Sequence, residues 1–221
     1  MESSDRAKRH SLVLPRRTRG LARLKTSVLC GIGWTAWLVL TCLLDTGALQ
    51  ASMVQAMNLA ELVEEAELVA VARVIGQRSF YDQRGRIVTD VKMQVEHAEK
   101  GDIAPGASVT VRRLGGEIDG VAMRVEGEPG FEDGEVVLLF GRDPRHRAVL
   151  RPVGMSQGAM RIFERDGRRW VRSATSDFAL VRKAAGKLDA DVPAAISEPR
   201  PLDDVLGEIQ SLVAQAKRRG K

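Results

Sequence analysis

Gly154-Met155-Ser156-Gln157-Gly158 carries the letters of the G-x-S-x-G nucleophile elbow, where a strained strand-to-helix turn presents a serine hydroxyl to a substrate carbonyl. Such a serine needs a base, and beyond residue 56 the imidazoles are His97 and His146. His146 precedes Ser156 by ten residues across a polar loop, which makes Ser156 with His146 the strongest hydrolytic pair in the chain. The elbow also demands a following helix and a histidine late in the chain. Here the residues after Gly158 read as a strand, and no histidine follows His146. The motif is therefore read as a glycine-framed turn, and the chain is expected not to be an enzyme.

A second set of glycines, Gly115, Gly116 and Gly120, brackets Glu117, Ile118 and Asp119. A loop of this kind can open its backbone to a ligand, although no strand-to-helix phosphate cradle accompanies it and tight strand connections also account for the glycines. The candidate binding residues are accordingly Gly115, Gly116, Glu117, Ser156, Gln157 and Gly158. Glu61, Glu64, Glu65 and Glu67 lie near a helix N-terminus and read as its solvated face. His97 and His146 are about fifty residues apart, in no spacing that recruits a metal. No metal and no cofactor are expected.

The elements that must position these turns are mainly strands. From Ile87 to Glu96, Ile87, Thr89, Val91, Met93 and Val95 alternate with Val88, Asp90, Lys92, Gln94 and Glu96, the period of a strand with one wet face. The turn residues Lys100-Gly101-Asp102 and Pro105-Gly106 follow, and Val109 and Val111 resume the alternation. Leu68–Ile75 has no polar side over its first half, as expected of a central strand covered on both faces. Val121, Met123 and Val125 predict a fourth strand, Val136–Phe140 a fully apolar one, and Ala148–Val153 and Gly158–Phe163 two more. Asp166-Gly167 is the pair expected at a two-residue hairpin turn, pairing Trp170 and Val171 back onto Ile162 and Phe163. The barrel core is expected to hold Val91, Met93, Val109, Val111, Met123, Leu138 and Phe140.

Helices flank the strands. Asn58 and Glu61 have the spacing of a capping box ahead of Leu59, Leu62, Val63 and Ala66. At the other end Leu202, Val205, Leu206, Ile209, Leu212 and Val213 form one apolar face, with Lys217, Arg218 and Arg219 suited to the C-terminal dipole. The predicted organisation is a leader over 1–56, a β-barrel-like domain over 57–173, a linker without sheet over 174–201 marked by Pro193, Pro199 and Pro201, and a helix over 202–221.

The leader is a basic n-region followed by an apolar run, residues 26–44, which is long for a signal peptide and just long enough to cross a bilayer. Val54-Gln55-Ala56 predicts cleavage after Ala56, and Leu49-Gln50-Ala51 is a second cleavage point. If the run is retained, it anchors the chain in the inner membrane. The long n-region is what a downstream start codon would leave. Of the 34 Lys/Arg and 29 Asp/Glu, eight and three lie within residues 1–56, leaving 26 of each sign beyond. The net charge of +5 thus belongs to the leader. A neutral exported domain lacks the footprint of nucleic-acid binding. Cys30 and Cys42 also lie in the leader, so a processed chain has no disulfide or cysteine-based metal site.

Taken together, Ala66–Val74, Ile87–Asp102, Val109–Gly116, Gly134–Arg142 and Pro152–Gly158 resemble a group of uncharacterised exported bacterial β-rich proteins, over roughly Leu59 to Phe163. The order of apolar first strand, long strand ending Lys-Gly-Asp and Gly-Glu-(apolar)-Phe strand is also similar to the barrel of tissue inhibitors of metalloproteinases and netrin-like modules. That resemblance implies an OB-like five-stranded barrel or a strongly curved antiparallel sheet. It does not carry the inhibitor mechanism, which needs an N-terminal cysteine and disulfides. The expected function is an exported, non-catalytic envelope or secreted module that binds a protein or another extracytoplasmic ligand. The alternatives are a secreted hydrolase using Ser156 and a membrane-anchored structural protein.

Overall fold

The computed structural model describes residues 53–143, 148–174, 179–184, 187–190 and 192–219. All belong to one unit, Gln50–Lys221. Residues 1–52, which hold most of the leader expected over 1–56, and His146 lie outside the described residues. Among the described residues no helix is long and apolar enough to cross a membrane.

A short strand, β1 (Met53–Gln55), leads into α1 (Leu59–Glu65). The capping box forms as expected: the Asn58 side chain accepts from the Glu61 N–H at 2.9 Å, and Glu61 accepts from the Asn58 N–H at 2.6 Å. At the other end Lys100 Nζ donates to the carbonyl of Val63 at 2.7 Å, satisfying a last-turn acceptor that the helix itself leaves open. The long strands β2 (Leu68–Tyr81) and β3 (Ile87–Lys100) then form a bulged hairpin. Its turn is held by Asp82, whose carboxylate accepts from the backbone of Arg84 and Arg86 and from the Arg86 guanidinium. These bonds, the Arg86 side chain first among them, hold the Asp82 carboxyl down at about 2.

Next come β4 (Ser108–Leu114), β5 (Gly116–Ile118), β6 (Val121–Met123), β7 (Val136–Arg142) and β8 (Val149–Pro152). β2 pairs with β3, β3 with β4, β4 with β8, β8 with β7, and β7 returns to β2, so these five strands make an OB-like, partly closed barrel. One join is parallel: β4 and β8, the third and fifth strands of the barrel, pair through Thr110–Val149 and Val111–Leu150. Past the barrel the sheet continues from β7 through β9 (Ala159–Arg165) and β10 (Arg168–Arg172) to β13 (Arg200–Pro201). The β9–β10 hairpin has the predicted register, Trp170 opposite Phe163 and Val171 opposite Ile162.

β2 is central and covered on both faces, as its sequence predicts. Leu68, Ala70, Ala72 and Val74 face the barrel interior with Val91, Met93, Val95, Val111, Val137 and Leu139. Val69 and Val71 face a second core, shared with α1 and with α2 (Leu202–Arg219), which contributes Leu202, Val205, Ile209 and Val213. Two expected interior residues, Leu138 and Phe140, sit in this second core instead. Their strand is apolar at every position, so its pattern cannot say which parity points inward, and Val137 and Leu139 take the interior. Val109 is only partly buried against the barrel core.

Met123 is not a core residue. β6 pairs with β5 alone in a separate two-stranded ribbon, with Val121 exposed, and does not extend the meander. The stretch predicted to lack sheet also differs from expectation. β11 (Ala179–Ala184) and β12 (Lys187–Ala190) pair there, and β1 adds to β11 in parallel.

Candidate functional site

Where β4 leaves the barrel, Gly115 and Gly116 turn the chain across the β2–β3 hairpin. Thr89 Oγ1 donates to the Gly115 carbonyl at 2.6 Å and lies 2.9 Å from Ser79 Oγ. A Cβ on Gly116 would strike both hydroxyl oxygens, and its φ of +140° lies where side chains are rarely tolerated. Tight backbone approach therefore accounts for this glycine. The approach also lifts the β5–β6 ribbon over one end of the sheet.

Beneath the ribbon lies a cavity of about 630 Å³. Its walls come from the end of β4, the ribbon, the loop over residues 124–130, the 3-10 turn Met155–Gly158, and the strands β9 and β10. Gly116 and Glu117 from one glycine-framed turn and Ser156 from the other both line it. Two motifs about forty residues apart in the chain thus share one wall. Gly115, Gln157 and Gly158 are not lining residues. Gln157 is buried and holds the chain leading into α1: its Oε1 accepts from the Met57 N–H at 2.9 Å, and its Nε2 donates to the Gln55 carbonyl at 2.9 Å. Gly158 is pressed against the backbone of Val153 and Phe140.

The arginines are what sequence reasoning missed. Arg113, Arg124, Arg161 and Arg172 line the cavity together with Glu117, Glu126 and Glu128. Arg161 is held by Glu135 at 3.1 Å. Arg113 is different, because its Nε is buried with no hydrogen-bond partner among the described residues. Burial pulls the Arg113 guanidinium below its ordinary value, partly offset by the charge of Glu128. Burial likewise pushes the Glu128 carboxyl up, against a hydrogen bond from the Leu114 backbone and the charges of Arg151 and Arg113.

The elbow geometry does not form around Ser156. The turn Met155–Gly158 runs directly into β9, where an elbow would enter a helix. The Ser156 N–H donates to the Gly127 carbonyl at 2.9 Å. His97 is exposed on β3, with its Nε2 2.9 Å from Glu99, and is not on the cavity wall. The expected His146 partner falls outside the described residues. Of the glutamates near α1, Glu61 serves the capping box and Glu65 pairs with Arg142 at 3.0 Å. Among the described residues no three His, Cys, Asp or Glu side chains gather as metal ligands would.

Fold and site together define a mainly β protein whose OB-like barrel carries an arginine-rich cavity at its edge. No family model matches the chain, and neither a curated protein nor a solved structure matches it.

Proposed function

We propose that the chain is an exported, non-catalytic binding module that takes a segment of an envelope protein, or another extracytoplasmic ligand, into the cavity beneath the β5–β6 ribbon. The observation that carries this reading is the convergence of Gly116, Glu117 and Ser156 with four guanidinium groups on one cavity of about 630 Å³, within the size range of ligand sites. A hydrolytic reading has less support, because the Gln157 N–H, which an elbow would offer as its oxyanion donor, is already given to the Gly154 carbonyl at 3.3 Å. Export rests on the basic n-region and the apolar run over residues 26–44. Retention of that run would tether the same module to the inner membrane.

The test is differential capture with the full chain. Ala122 lines the cavity from an exposed position on β6, so Ala122→Trp fills the space without entering either core. Wild-type chain isolated from its own envelope should retain a molecule, identified by mass, that the tryptophan variant loses. The same retained set in both would place binding elsewhere on the protein.

A further inference from the structure

The cavity has a chemical bias beyond its shape. A guanidinium cannot shed its proton, so Arg113 keeps its charge even half-buried, and its Nε–H points at no acceptor among the described residues. Unpaired buried donors are uncommon in folded proteins, and each calls for a reason. Its sequence neighbour Arg112 shows the ordinary alternative: it faces the other side of β4, pairs with both carboxylate oxygens of Asp90 at 2.6 and 2.7 Å, and lies 5.0 Å over the Phe80 ring. Arg172 reaches the same cavity from β10 as an exposed side chain. Three carboxylates, Glu117, Glu126 and Glu128, share the wall, and none of them accepts from Arg113 Nε. Glu128 bears on Arg113 through its charge and makes no hydrogen bond to the Nε. Glu117 and Glu126 are exposed, as Arg172 is, so solvent screens all three alike.

Building on the binding-module reading above, we infer that the cavity selects an anion: a carboxylate- or phosphate-bearing group held by the Arg113 guanidinium where it lines the wall, with Arg172 closing on it from the rim. The planar fork of a guanidinium matches both oxyanions, which is why the two sources share one chemistry.

The experiment is calorimetric titration of the full chain in mild detergent with inorganic phosphate and, separately, with citrate, at fixed ionic strength held by chloride. Saturable binding of either anion is expected, weakened about tenfold by Arg113→Gln and several-fold by Arg172→Gln. Arg168→Gln, an exposed change off the cavity wall, should leave the affinity unchanged. Binding of phosphate alone assigns a phosphate-bearing ligand, and binding of citrate alone a carboxylate. If Arg113→Gln does not fold, Arg172→Gln decides, since its side chain is exposed. The inference is overturned if neither anion saturates, or if binding is equal in wild type and the foldable cavity variants. Should Ala122→Trp release a captured ligand that bears no acidic group, the binding-module reading stands and the anion inference falls. Should neither anion bind and the captured sets match, both fall.

Discussion

Substituting Gly158 by alanine tests whether this glycine serves chemistry or packing. The added Cβ would lie 2.6 Å from Val153 N, 2.9 Å from Phe140 O, and nearer still to Val153 O. All three are backbone atoms, which cannot swing aside as a side-chain end can. Val153 N and Phe140 O are also partners in a 2.8 Å hydrogen bond joining β7 to the segment after β8. Making room means parting them, which forfeits a bond worth about 0.5–1.5 kcal/mol and adds overpacking strain of about 1–3 kcal/mol. The expected destabilisation is on the order of 2–4 kcal/mol. Gly130 provides the control, since a Cβ there meets nothing and the change should stay within about 0.5 kcal/mol. Urea unfolding followed by far-ultraviolet circular dichroism should lower the midpoint of Gly158→Ala by on the order of 1–2 M at an unchanged slope. Coincident midpoints for the two variants would refute the packing account and return Gly158 to the list of residues kept for a ligand or a nucleophile.

Three further outcomes are expected. Val91 is fully buried in the barrel opposite Val111, so Val91→Ala, which removes two methyl groups, should cost about 1.5–3 kcal/mol; a thermal midpoint within error of wild type would mean that face of β3 points outward. Glu128 has a carboxyl raised by burial, so its contribution to stability is full below the ordinary carboxylate range and is lost as pH rises through the raised value. Glu128→Gln should therefore gain on wild type as pH rises out of the ordinary carboxylate range, and parallel stability curves would contradict this. If the chain is processed as proposed, the packing favours a cut after Ala51 over one after Ala56: Ala56 is buried with its N–H on the Val181 carbonyl at 2.8 Å, and a cut after it would strip β1 from β11 and take away the Gln55 carbonyl that Gln157 holds. N-terminal sequencing should read Ser52 first, a start at Met57 would refute that choice, and an intact run over residues 26–44 would replace cleavage with an anchor.

How far the sequence could be read depended on whether each element carries its own contrast. β3 alternates apolar with Asp90, Lys92 and Gln94, so its inner face is plain from the residues alone, and Val91 and Met93 lie where that pattern puts them. The Asn58 box and the Asp166-Gly167 turn are short-range signals, complete within four residues, and both form as expected. β7 has no polar residue from Val136 to Phe140, so its direction was legible and its facing was not. The β5–β6 ribbon misled for the opposite reason: Val121 and Met123 alternate as a buried strand would, yet the glycines before them turn the chain out of the sheet.

The cavity was the least legible feature, because its wall is assembled by long-range pairing. Gly116 and Ser156 each stood out as a glycine-framed turn. They meet only because β4 pairs in parallel with β8, and because the 3-10 turn that carries Ser156 is tied to the loop beside the ribbon through Gly127. Neither join leaves a local pattern. The arginines make the point at the scale of two residues. Arg112 and Arg113 are identical neighbours in sequence, and strand geometry sends them to opposite faces. One finds Asp90 across the sheet and an aromatic ring below it; the other is led into a cavity where its Nε is buried without an acceptor among the described residues. Composition counts them alike, so what separates a structural arginine from a candidate ligand-binding one is the partner that topology supplies to the first and not to the second.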